Sequence, residues 1–201
     1  MILAACFIVV GLAVVIAMGA AAFRQGQAAS SGSVTTTGQA SIGGPFAMVD
    51  QDGRPVDQRI LTGKWSAVFF GYTYCPDVCP ATLQTLAAAA QRLGPAAKDF
   101  QVVFVSVDPA RDTPAQLKAY LSSQAFPRRT IGLTGTDQQV AQIAKAYRVY
   151  YGKSGAGPGY TVDHTAAIYL MDPQGRFSIV LAENLGPDRI AQLITDAERR
   201  G

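Results

Sequence analysis

Trp65-Ser66-Ala67-Val68-Phe69-Phe70-Gly71-Tyr72-Thr73-Tyr74-Cys75-Pro76-Asp77-Val78-Cys79-Pro80 begins as an apolar run of strand length and ends on a pair of cysteines. Residues 81–93 are rich in Ala and Leu and are followed by Gly94-Pro95, so they read as a helix with its stop signal. The stretch predicts a buried central strand over 65–71, a short loop, and a helix whose head carries Cys75 and Cys79. Either Pro76 or Pro80 suits the first helical position. Cysteines four apart at such a place can face the same side, where their sulfurs meet a common metal ion or each other. The helix N-terminus offers partial positive charge and free N–H groups, which favour the thiolate. The flanking prolines and Asp77 argue against two inert thiols in a helix interior, and redox chemistry and metal binding both remain open.

The neighbouring segments supply the rest of an α/β domain. Residues 46–49 and 54–56 flank Asp50-Gln51-Asp52-Gly53 and predict a hairpin with an Asp-Gly turn. A calcium loop is excluded there because no Glu follows at the ligand spacing. Residues 102–107 predict a second buried strand, and Thr113-Pro114 opens a helix with Thr as its cap. A short strand at 131–133 precedes an amphipathic helix over 137–149, with Val140, Ile143, Ala144 and Tyr147 on one face. Residues 152–159 read as a Gly-rich loop, and the phosphate-loop pattern fails because Tyr147 stands where a Gly is required. Residues 166–171 and 177–181 predict two strands around the turn Asp172-Pro173-Gln174-Gly175, and a last helix runs from Gly186-Pro187-Asp188 to about Arg199. Strand–helix–strand crossovers imply a parallel core with antiparallel additions. This is the layout of a thioredoxin-like α/β fold with an N-terminal β-hairpin extension, over residues 44–201.

The first 43 of the 201 residues carry one charged side chain, Arg24; the rest carry 16 basic and 14 acidic ones. Ile2 to Phe23 holds 22 uncharged residues, about 33 Å as a helix and enough to cross a bilayer core. Residues 1–23 are therefore expected to form one transmembrane anchor, because the apolar stretch is long for a cleaved signal peptide. Leu3-Ala4-Ala5-Cys6 spells a lipoprotein-type box with no charged or apolar region ahead of it, so Cys6 reads as an ordinary membrane residue. Residues 24–43, composed mainly of Gly, Ser, Thr, Ala and Gln, read as a flexible tether with a reach of roughly 25 Å. A small charge excess without any long Lys/Arg run excludes nucleic-acid binding by bulk charge.

His164, the single histidine, stands just before the strand at 166–171. With Cys75 and Cys79 it completes the thiol and imidazole groups of the domain, since Cys6 lies in the apolar segment. Two thiolates and one imidazole make a soft donor set that suits Cu(I), or Zn(II) with a fourth ligand. Asp163 either orients His164 or faces solvent.

Three stretches together resemble the Sco/SenC family: Gly71-Tyr72-Thr73-Tyr74-Cys75-Pro76-Asp77-Val78-Cys79-Pro80, Ser106-Val107-Asp108-Pro109-Ala110-Arg111-Asp112-Thr113-Pro114, and Val162-Asp163-His164-Thr165 leading to Met171-Asp172-Pro173-Gln174-Gly175. The resemblance covers roughly residues 44–200. It implies a membrane-anchored copper protein that binds Cu(I) or Cu(II) through Cys75, Cys79 and His164. It also implies delivery to the binuclear copper centre of cytochrome c oxidase subunit II, with another periplasmic copper chaperone as a candidate partner. Asp108, Arg111 and Asp112 follow a strand parallel to the cysteine-bearing one, so their loop should open on the same sheet edge. They form either a local turn and ion pair or a docking or copper-gating loop.

A competing expectation is a membrane-tethered thiol–disulfide reductase that cycles a Cys75–Cys79 disulfide on the cysteines of the same subunit. The Cys-x-x-x-Cys spacing and the lack of a proline directly before Ala166 count against it. A peroxidase is weaker still, because Thr73 stands two residues before Cys75 and not three. A disulfide-prone pair behind an anchor, with no Arg-rich presequence, places the domain on the periplasmic side of a bacterial inner membrane as a single-pass protein.

Overall fold

The computed structural model describes residues 41–200. The expected anchor, and all but the last residues of the expected tether, lie outside them. Among the described residues no helix is long and apolar enough to cross a membrane.

β1 (Ala47–Asp50) and β2 (Pro55–Asp57) form the expected antiparallel hairpin. Asp50 closes its turn by accepting the backbone N–H groups of Asp52 and Arg54, while Gly53 adopts a positive φ of 78°. β3 (Trp65–Gly71) and β4 (Phe100–Ser106) are buried at every position, as befits central strands covered on both faces. β5 (Thr130–Thr134) continues the parallel set, and β8 (Ala167–Met171) and β9 (Phe177–Ala182) add antiparallel strands beyond β3. The seven-stranded order is β2-β1-β5-β4-β3-β8-β9. This is the mixed α/β, thioredoxin-like layout read from the sequence, with both hairpins joined to the main sheet.

Among the described residues four α-helices cover the sheet: α1 (Val78–Arg92), α2 (Pro114–Leu121), α3 (Asp137–Ala146) and α4 (Pro187–Glu198). Thr113 caps α2 as expected, its hydroxyl accepting the Gln116 N–H. α3 starts with a reciprocal capping box between Thr136 and Gln139. It ends three residues earlier than expected, because Arg148 turns the chain into the left-handed region at φ 55°. α1 starts three residues earlier than expected, with neither Pro76 nor Pro80 at its first position. Pro80 sits inside the first turn, where its missing N–H costs no helical bond.

The expected loop at 152–159 is a correction. Residues 151–154 form β6 (Tyr151–Ser154), which pairs antiparallel with β7 (Thr161–His164) as a separate two-stranded sheet. Only the six residues between them are loop. Gly152 and the exposed Lys153 and Ser154 leave no apolar alternation in β6, so this strand carries little sequence signal.

A candidate copper centre

The topology explains why residues 85 positions apart meet. The Cys75 loop leaves the C-terminal end of β3. β8 runs antiparallel to β3, with Ile168 opposite Phe69, so β8 begins at that same end, three residues after His164. The Asp108–Asp112 loop leaves the neighbouring end of parallel β4. Cys75, Cys79 and His164 thereby converge, their Sγ and ring-nitrogen atoms all within 4.8 Å of one another. His164 Nε2 lies 3.6 Å from Cys79 Sγ.

Each side chain is held for a local reason. Asp77 caps α1 without a side-chain hydrogen bond, and the Cys75 sulfur takes that place by accepting the Cys79 N–H at 3.4 Å. Cys79 is fully buried under Gly71 and Phe104, whereas Cys75 is half-buried; both are free thiols. Hydrogen bonding from the Cys79 thiol, then from the Cys79 and Asp77 backbone N–H groups, lowers the Cys75 pKa from 9.0 to about 5 despite partial burial. The same contact and burial push Cys79 far upward. The contact thus favours the thiolate on Cys75 and the neutral thiol on Cys79. The His164 ring stands edge-on to Phe69 and Tyr72, with Nδ1 3.3 Å from the Thr165 carbonyl.

Asp163 is exposed and alternates away from His164 along β7. Asp108 and Asp112 have no exposed surface, so a docking role does not fall to their carboxylates. Asp112 accepts the Thr73 N–H at 3.0 Å, the Thr73 hydroxyl at 2.7 Å and the Ser106 hydroxyl at 2.7 Å, pinning the cysteine loop to β4. Asp108 accepts Arg111 Nε at 2.5 Å and the Tyr160 hydroxyl at 2.6 Å. The sequence carries no signal for these roles of Thr73, Ser106 and Tyr160, since nothing but position separates them from other hydroxyl residues. Met48 and Met171 are core residues, both buried away from solvent.

The SCO1/SenC family model matches residues 34–198. The chain belongs to that family. SenC of Rhodobacter capsulatus is 40% identical over 161 residues, covering 80% of this chain and 72% of its own. The mitochondrial SCO1 homolog 1 of Arabidopsis thaliana is 40% identical over 157 residues, covering 77% of this chain and 46% of its own. This chain thus spans 46–63% of the length of the mitochondrial relatives it matches. The copper-bound structure of Bradyrhizobium japonicum ScoI is 43% identical, with a TM-score of 0.70 over 79% of this chain and 98% of that one. The SCO1/SenC match includes the whole seven-stranded sheet and all three converging side chains.

Proposed function

We propose that this SCO1/SenC protein carries copper as cargo on Cys75, Cys79 and His164 and assists assembly of the binuclear copper centre of cytochrome c oxidase subunit II. The observation that carries this reading is the convergence of two sulfurs and one imidazole nitrogen within 4.8 Å, in a chain whose relatives include copper-bound structures. Donors at 2.0–2.3 Å from one ion lie no more than roughly 4.6 Å apart, so the set closes on an ion with little movement. Thiolate and imidazole donors match Cu(I) in softness. The half-buried Cys75, beside exposed Tyr74 and Val78, gives the cargo a way in and out. Residues 1–23 anchor the protein, 24–43 tether it, and the 44–201 domain works at the periplasmic face of a bacterial inner membrane, receiving copper from another periplasmic chaperone.

A thiol–disulfide reductase role draws support from the unequal pair, a half-exposed Cys75 thiolate over a buried Cys79 thiol, which is the arrangement of an attacking and a resolving cysteine. Cu(I) titration separates the two. His164→Ala should weaken Cu(I) binding and leave Cys75–Cys79 disulfide formation unchanged. Oxidation of the pair should abolish Cu(I) binding, because a disulfide is a poor donor. Cu(I) affinity unchanged by His164→Ala would favour the reductase.

A further inference from the structure

The β6–β7 hairpin that delivers His164 is not part of the main sheet. A lone two-stranded hairpin is marginal in water, and of the eight residues in its strands only Val162 is buried. Its turn contains Gly155 and Gly157 at positive φ and Gly159 besides, so the turn itself supplies little rigidity. At its base, Thr165 and Tyr150 exchange backbone and hydroxyl hydrogen bonds. At the other end one side chain does most of the holding. Arg111 Nη1 donates to the Tyr160 carbonyl at 3.0 Å and to the Pro158 carbonyl at 3.4 Å, and its guanidinium lies 3.6 Å from the centre of the Tyr160 ring.

The same guanidinium faces the cysteine loop, 4.8 Å from the Tyr74 ring and 5.7 Å from the Tyr72 ring. Its Nη2 is buried without an acceptor of its own. Behind it stands buried Asp108, which also takes the Tyr160 hydroxyl. Arg111 therefore touches the loop that bears the cysteines, the strand end that bears Asp108 and the hairpin that bears His164. A lysine cannot reproduce this, because it lacks the planar fork that reaches a carboxylate and two carbonyls at once.

We propose that Arg111 is a positioning residue: it clamps the β6–β7 hairpin to the cysteine loop and so holds His164 beside Cys79 before copper arrives. The proposal rests on the copper-binding reading above. Without the clamp, closing the three-donor set would carry the cost of ordering the hairpin, and copper would be held mainly by the two sulfurs.

The test is a double-mutant cycle on the full-length chain in detergent, with Cu(I) affinity read by competition against a chromophoric chelator. Arg111→Gln should lower affinity about 10- to 100-fold, the usual effect of losing a group that orients a ligand. In a His164→Ala background the same change should cost less than about threefold. In the metal-free proteins, hydrogen exchange at residues 151–164 should accelerate in Arg111→Gln while β3 and β4 stay protected. Arg111→Lys retains the charge beside Asp108 and should recover thermal stability without recovering affinity. Tyr160→Phe removes only the bond to Asp108 and should give a smaller shift in the same direction, so the idea remains testable if Arg111→Gln folds poorly. Equal losses in both backgrounds, or wild-type affinity in Arg111→Gln where His164→Ala is weakened, would overturn the clamp. Unchanged affinity in His164→Ala would overturn the ligand assignment instead. The metal-free exchange result tells these failures apart, because it does not involve copper.

Discussion

At the scale of single residues the centre turns on the Cys75 sulfur, which stands in for the missing side-chain cap of α1. The cap N–H groups and the Cys79 thiol favour the charged form, which accounts for a pKa of about 5 against an ordinary 9.0. The sign of the pH effect follows. A thiolate preferred only in the folded chain stabilises the reduced, metal-free protein fully above the ordinary thiol pKa, and that contribution disappears as the pH falls through about 5. Cys79, shifted upward, opposes this only at pH values above the ordinary thiol range. Alkylation by iodoacetamide reads the same property, since rate follows thiolate fraction. The reduced, metal-free chain should be modified at Cys75 with a half-maximal rate near pH 5, and peptide mapping should find Cys79 unmodified. A midpoint near pH 9 would contradict the capping geometry. The three donors were legible in the sequence because thiol and imidazole groups are scarce there. Thr73, Ser106 and Tyr160 were not, because their roles arise only where three loops meet.

At the scale of elements, the end of β3 sets how closely α1 can approach. A Cβ on Gly71 would lie 2.7 Å from Cys79 Sγ and 2.9 Å from Phe104 Cε2, distances that neither neighbour can accept without shifting. Gly71→Ala should destabilise the domain by about 1–3 kcal/mol through overpacking. It should also weaken copper binding, because the displaced atom is a proposed donor. Urea unfolding and Cu(I) competition on the same variant check both, and wild-type values in either would show that α1 moves freely over β3. The central strands and the Thr113 cap were readable from apolar runs and cap chemistry. The start of α1 departs from the sequence expectation because proline is favoured at the first helical position, whereas Pro80 occupies another position of the first turn. β6 was missed because Tyr151-Gly152-Lys153-Ser154 has neither β-branched residues nor alternation. Its strand character comes from pairing with β7 and not from its own composition.

At the scale of the whole molecule, the proposed anchor and tether would act through concentration and not through contact with the metal. A leash of about twenty residues would keep the domain within roughly 25 Å of the membrane surface, where the proposed membrane-bound target would be found. A chain beginning at Gly44 should bind Cu(I) as tightly as the full chain. It should support oxidase assembly poorly at native expression and better when overproduced. Full assembly at native levels, or a mature N-terminus near Ala22 in a freely soluble protein, would contradict the tether. The fold brings the donors together from two parts of the chain with no local reason to meet, the loop and helix head that follow β3 and the β6–β7 hairpin. Whether all three hold copper is tested most directly by X-ray absorption on the full-length protein loaded with one equivalent of Cu(I). The predicted first shell is two sulfur scatterers and one nitrogen, with the nitrogen lost in His164→Ala. A shell with one sulfur or none, or one unchanged in His164→Ala, would contradict the assignment of Cys75, Cys79 and His164 as the copper site.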